Sequence, residues 1–329
     1  MRTVATYSMH LNGFNKNFAI LLLVTLAATG CAKPNPEETV ARPSQTPVAT
    51  PTKGCPPSQL IDEVKKISSV TAGPVGAAFL LLETGESASL EGARHFPTQS
   101  VYKFPIAILV LRQVDTGKLT LDQRINVTPK DFVSDREFTI RRQYPRGAEL
   151  TIRELLRYMI SESDGTACDV LLRLIGGPET ATKNLREIGI ENFIIARYEK
   201  EMFESPSVRY ENRTTPEEAV NVLRLLQTGK VVSDASRDLL LDLMINSRPG
   251  QKRLKGLLPA GTIVAHKTGT SATINGVTSA TNDIGIITLP DGTHLAIAVF
   301  VSDTKADEKT REGVIAKIAE AAWKCWVRS

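Results

Sequence analysis

Ser100 and Lys103 stand three residues apart in Gln99-Ser100-Val101-Tyr102-Lys103-Phe104, at the start of an apolar helical pattern. That spacing places both side chains on one helix face. A serine hydroxyl is a poor nucleophile until a neighbouring base takes its proton, and an amine can do this. Free backbone N–H groups at a helix start add stabilisation for developing negative charge. The pattern is weak alone, because Ser302-Asp303-Thr304-Lys305 repeats it in a charged loop with nothing to support catalysis.

Three further pieces follow in order. Ser163-Asp164-Gly165 interrupts an apolar stretch. Ser and Asp there serve as helix caps in many proteins, and Ser-Asp occurs four times in this chain. Read chemically, Ser163 would pass a proton to a leaving nitrogen. Glu199 lies in the aperiodic stretch Arg197-Tyr198-Glu199-Lys200-Glu201-Met202-Phe203, where a carboxylate is either solvated or poised to activate water. Lys267-Thr268-Gly269-Thr270-Ser271 closes an expected strand at 262–266. Glycine there permits close backbone approach. Lys267 and Thr268 would bind a carboxylate, and the N–H groups of Thr270 and Ser100 would form an oxyanion hole. Together these are the parts of an acyl-transfer site.

The elements that must position them follow from periodicity. Helices are expected at 57–69, 100–114, 151–160, 164–175, 181–188, 216–228, 233–245 and 308–326, and strands at 75–83, 262–266, 280–288 and 293–302. Residues 190–215 show no helical period. This order predicts an α/β chain of the α+β type: an antiparallel sheet flanked by terminal helices, with an all-helical part inserted. Segments 55–97 and 247–329 form the α/β part and 98–246 the helical part, and the cleft between them is the default place for a site.

The chain has 329 residues, 42% hydrophobic and 23% charged, which predicts a packed globular core. A net charge of +4 without a run of five Lys/Arg argues against nucleic acid as the main partner. Lys16 precedes an apolar run, 18–28, too short to span a bilayer but suited to a signal segment. Residues 1–31 are therefore expected to direct export, with Met9 a second candidate start. Ala28-Thr29-Gly30-Cys31 is similar to a bacterial lipobox, which implies acylation of Cys31; ordinary signal cleavage nearby is the alternative. Residues 32–54, with five prolines, read as a tether. Cys168 sits in an apolar helical stretch and is expected to be a buried small hydrophobe. Cys55 and Cys325 can form a disulfide if the terminal helices pack side by side.

In the order and spacing of these motifs, residues 55–329 resemble the class A serine β-lactamases. The flanks Arg253-Leu254-Lys255-Gly256-Leu257-Leu258-Pro259-Ala260-Gly261 and Ala280-Thr281-Asn282-Asp283, the pair Cys168-Asp169 and the insert between Ser271 and Thr281 are similar to the extended-spectrum subgroup that includes the PER and VEB enzymes. The resemblance implies hydrolysis of a β-lactam amide, conferring resistance, with no metal and no organic cofactor. It implies Ser100 as acylated nucleophile, Lys103 and Glu199 as proton acceptors (which of them activates the serine is open) and Glu199 as the deacylating base. It implies Ser163 as proton shuttle, and Lys267, Thr268, Gly269, Thr270 and Ser271 as substrate contacts. Arg253 resembles the auxiliary cation beneath the substrate carboxylate, and Thr281 stands where other members carry that arginine. The stretch 197–212 corresponds to the Ω-loop, with Arg197 and Asn212 at its two ends.

Departures carry their own expectations. Gly165 replaces a substrate-contacting Asn, which should weaken anchoring and enlarge the cleft. Phe203 replaces an Asn that holds the hydrolytic water. Asn212 replaces an Asp, removing a salt bridge. Asp169 is expected near Glu199, so that one of the two carboxylates becomes harder to ionise. A penicillin-binding D-Ala-D-Ala carboxypeptidase would share the motifs but have no use for Glu199. A non-enzymatic β-lactam or cell-envelope binding module is the third reading. The expected protein is a monomer, exported to the periplasm or held on the bacterial membrane through Cys31.

Overall fold

Val75–Leu81, and His294–Val301 after its first residue, are unbroken apolar runs because both faces of their sheet are covered. Side chains alternate between the two faces. Phe79, Leu81, Leu295, Ile297 and Val299 enter one core, while Ala78, Ala296, Ala298 and Phe300 enter the other. In the computed structural model the described residues are 55–133, 138–203 and 207–327, with the side chain of Phe203 not described. The signal segment 1–31 and the tether 32–54 lie outside them.

The sheet is antiparallel throughout, in the order Ser87–Leu90, Val75–Leu81, His294–Val301, Thr281–Thr288, Val264–Thr270. Helices Pro57–Ser68 and Glu308–Trp326 pack together over one face, where Leu60, Val64, Ile318 and Trp326 meet Phe79. Their ends are joined by the Cys55–Cys325 disulfide, with a Cα–Cα distance of 4.9 Å. Over the other face lie helices Lys103–Asp115, Ile152–Ser161, Gly165–Leu174, Gly177–Arg186, Pro216–Gln227 and Asp234–Ile245. Phe104, Ile108, Leu156, Leu171 and Leu223 form its core with Phe300.

The expected architecture holds, with local differences. Lys267-Thr268-Gly269 does not close its strand; it lies inside Val264–Thr270, because Thr281–Thr288 continues to pair as far as Thr270. The helix expected at 181 begins at Gly177, after Gly176 turns the chain with φ 99°. The half-exposed edge strand Ser87–Leu90 and the short helix Thr139–Gln143 lacked a readable period.

Candidate active site

Ser100, the candidate nucleophile, lies in a 3-10 turn, Gln99–Tyr102, that runs into the α-helix Lys103–Asp115. Pro105 thus sits in the first α-turn, where its missing N–H costs nothing. Gln99, just before Ser100, has φ 45°, a left-handed conformation that an L side chain adopts only when its surroundings impose it. Those surroundings are visible. Asn282 Nδ2 donates to Pro97 O at 2.8 Å and to Thr98 O at 3.2 Å. A Cβ on Gly269 would lie 2.2 Å from Thr98 O, so only glycine lets this strand press against the nucleophile turn.

Lys103 is fully buried. Its Nζ donates to Ser100 Oγ at 3.0 Å and Ser163 O at 2.7 Å, and lies 3.3 Å from Glu199 Oε2. The same Oε2 accepts from Tyr102 OH at 3.0 Å, and that hydroxyl accepts from Cys168 Sγ at 3.2 Å. Burial pushes both the Tyr102 phenol and the Cys168 thiol well above their ordinary ranges, so both are neutral donors at working pH. Cys168 is buried as expected, but it also bonds rather than only fills space.

Asp169 is where the sequence placed it. Its carboxylate accepts from Glu199 N at 2.7 Å and Lys200 N at 3.0 Å. Burial first, and the Glu199 charge second, push its carboxyl up to about 7.

Ser163 is drawn between two lysines. Its carbonyl accepts from Lys103, and its Oγ accepts from Lys267 Nζ at 2.9 Å. The residue has φ 58°, held because Asp164 caps the next helix: Asp164 accepts from Ala167 N at 3.0 Å and Ile140 N at 2.8 Å. The cap is thus Asp164, which leaves the Ser163 hydroxyl to Lys267. Lys267 is completely buried; desolvation, then repulsion from Lys103, brings its ammonium down to about 7.

Arg253 lies along the same strand. It donates to Thr270 Oγ1 at 2.8 Å, to Gly269 O at 3.2 Å and to Asn282 O at 2.9 Å, and pairs with Glu312 at 3.1 Å. Thr270 is exposed and Thr268 buried in the same strand end. Ser271 is brought there too, and its Oγ accepts from Ala280 N at 3.0 Å, which braces the hairpin of the insert. Thr281 is buried and accepts from Arg311 Nε at 2.9 Å.

Two expectations need correction. Gly165 does not enlarge the cleft: a Cβ there would lie 2.6 Å from Phe138 Cε2 and 2.8 Å from Glu199 Cγ. The Phe138 ring fills the space, 5.6 Å from Lys103 Nζ. Nor does Asn212 cost the Ω-loop its ion pair. The Asn212 side chain accepts from the N–H groups of Ala196 (2.7 Å) and Arg197 (2.8 Å) and donates to Arg197 O (3.0 Å). Arg197 pairs instead with the neighbouring Glu211 at 2.6 Å. The expectation for Phe203 concerns a side chain outside the described residues.

Sequence reasoning assigned no role to Tyr102, Phe138 or the buried His266–Asp283 pair (3.0 Å) beneath the Lys267 strand. For Tyr102 a signal existed, since a tyrosine in a fully buried register must find a partner for its hydroxyl.

Residues 59–326 match a family profile described as the beta-lactamase enzyme family. Two relatives from Pseudomonas aeruginosa are similar over most of their length. Beta-lactamase VEB-1 is 38% identical, covering 79% of this chain and 88% of the relative. Extended-spectrum beta-lactamase PER-1 is 39% identical, covering 79% and 85%. Among solved structures, a beta-lactamase from Chitinophaga pinensis is 46% identical with a TM-score of 0.79, covering 80% of this chain and 98% of that one. TLA-3 extended-spectrum beta-lactamase is 38% identical with a TM-score of 0.81, covering 83% and 100%.

Proposed function

The chain belongs to the beta-lactamase enzyme family, and from that premise we propose how its residues open a β-lactam ring. It is a class A serine β-lactamase, a hydrolase that confers resistance. The substrate carboxylate docks on Lys267, Thr268 and Thr270, with Arg253 holding Thr270 in place. The lactam carbonyl oxygen faces the N–H groups of Ser100 and Thr270. Ser100 Oγ bonds to the carbonyl carbon while its proton passes to the Lys103–Glu199 pair. The C–N bond then breaks, and Ser163 supplies the proton to the nitrogen. In the second half, Glu199 takes a proton from water, the water oxygen attacks the ester, and Ser100 Oγ leaves with a proton.

The observation that carries the hydrolytic half is the 3.3 Å approach of Glu199 Oε2 to Lys103 Nζ, itself bonded to Ser100. A penicillin-trapping peptidase would need Ser100, Lys103 and Lys267 but not this carboxylate. Penicillins and cephalosporins are the proposed substrates, and the relatives named extended-spectrum support a broad range. Steady-state hydrolysis of a chromogenic cephalosporin tests the reading. Turnover supports it; a stable adduct on Ser100 without turnover favours the trapping reading.

We also propose that the protein is an exported monomer, delivered by residues 1–31 and either tethered through Cys31 and the 32–54 spacer or released. The Cys55–Cys325 disulfide supports an oxidising compartment. Labelled-palmitate incorporation that depends on Cys31 would support the tether; its absence would leave ordinary cleavage.

A further inference from the structure

Tyr102 closes the turn Gln99–Tyr102 with its ring fully buried, between Ser100, which attacks, and Lys103, which binds the proton, in the chain. A hydroxyl carried into such a site costs free energy unless both its donor and acceptor roles are filled. Both are. The Tyr102 O–H donates to Glu199 Oε2 at 3.0 Å, and its oxygen accepts the Cys168 S–H at 3.2 Å. Cys168 thereby fixes which way the phenol proton points. Cys168 and Asp169 are consecutive on one helix, and Asp169 grips the Glu199 backbone N–H at 2.7 Å. The carboxylate is therefore held at both ends, side chain by Tyr102 and main chain by Asp169.

Glu199 Oε2 accepts from Tyr102 and forms an ion pair with Lys103 at 3.3 Å. Oε1 has no donor among the described residues. We propose that Tyr102 is a positioning residue for deacylation, aimed by the Cys168 thiol: it fixes Glu199 Oε2, so that Oε1 is the atom that takes the proton from the attacking water. In that step the water O–H bond breaks toward Oε1 and the water oxygen bonds to the ester carbon. The Ser100 Oγ–C bond then breaks, and the proton held on Oε1 returns to Ser100 Oγ. The proposal rests on the serine-ester reading above. It also supplies a fixed carboxylate where Phe203 brings no amide to hold the water.

The test is Tyr102→Phe, which keeps the ring and deletes only the hydroxyl. A hydrogen bond to a charged group supports a loss in kcat of about 10- to 100-fold. Because the loss falls on deacylation, KM should drop with kcat, and quenched mass spectra should show an adduct accumulating on Ser100. The groups facing the Glu199 side chain are Lys103, Tyr102 and the ring of Phe138 beside Gly165. Asp169 and Cys168 stand behind it and Lys267 further off. Removing the Tyr102 donor leaves Oε2 free to turn, so kcat falls because the carboxylate is misplaced. Cys168→Ala should produce a smaller change in the same direction, and it carries the test if Tyr102→Phe does not fold. An unchanged kcat in the folded variant would overturn the proposal. So would an equal fall in kcat and kcat/KM without an adduct. A wild-type protein that turns over no cephalosporin would instead remove the reading beneath it.

Discussion

Lys267 donates to Ser163 Oγ at 2.9 Å, so in the proposed mechanism the residue assigned to the substrate carboxylate also orients the residue assigned to protonate the leaving nitrogen. This ties substrate binding to proton delivery through one side chain, and it makes binding pH-dependent. Lys267 in the free protein is brought down to about 7, far below the ordinary 10.5. A bound carboxylate favours the charged form. Above pH 7 substrate binding should therefore take up a proton, and affinity should weaken by up to about tenfold per pH unit. Calorimetry of a penicillin with Ser100→Ala in two buffers of different ionisation enthalpy measures this uptake; no uptake at pH 8 would contradict it. The same shift bears on stability. Between about 7 and 10.5 the unfolded chain binds more protons at Lys267 than the folded one, so this group's contribution to unfolding free energy rises with pH across that window.

Gly165 and Phe138 should behave as one unit. Gly165→Ala drives a Cβ into Phe138 and Glu199 and should cost about 1–3 kcal/mol, with a fall in kcat. Adding Phe138→Ala should recover part of the stability. Thermal melts of the two single variants and the double variant check this, and strict additivity would contradict the contact.

Arg253→Ala should leave Glu312 and three backbone or hydroxyl acceptors without their donor. Loss of one partner of such a buried pair costs about 3–5 kcal/mol. Kcat/KM should fall as Thr270 loses its support. Arg253→Lys should rescue little, because an ammonium cannot reproduce the guanidinium fork. Denaturant melts and steady-state kinetics would show both effects, and full rescue by lysine would count against the geometry.

The Cys55–Cys325 disulfide closes a separation of 270 residues on the sheet face opposite Ser100. Reducing it should remove about 2–5 kcal/mol of stability while leaving kcat near its wild-type value. Melts with and without reductant, paired with initial rates, measure both.

The legible part of this molecule is what local pattern can encode. Ser100, Lys103, Ser163 and Lys267 could be picked out because each sits at a helix start or in a strand, in motifs whose order is specific. The central strands could be read because both their faces are buried, leaving apolar runs. What escaped depends on distant partners. Lys267-Thr268-Gly269 remains in its strand because residues 282–284 pair with it. Gly165 reads as empty space until Phe138, 27 residues earlier in the chain, fills it. Asn212 reads as a lost charge until its amide is seen clasping the backbone of Ala196 and Arg197.

Glu199 carries the claim that this site hydrolyses β-lactams rather than retains them, and the mass of Ser100 after exposure to a cephalosporin tests it most directly. The wild-type protein should return to its unmodified mass as substrate is consumed, while Glu199→Ala should hold the acyl adduct on Ser100 with turnover reduced by at least about 100-fold. Unchanged turnover by Glu199→Ala, or an adduct on any residue other than Ser100, would contradict the account.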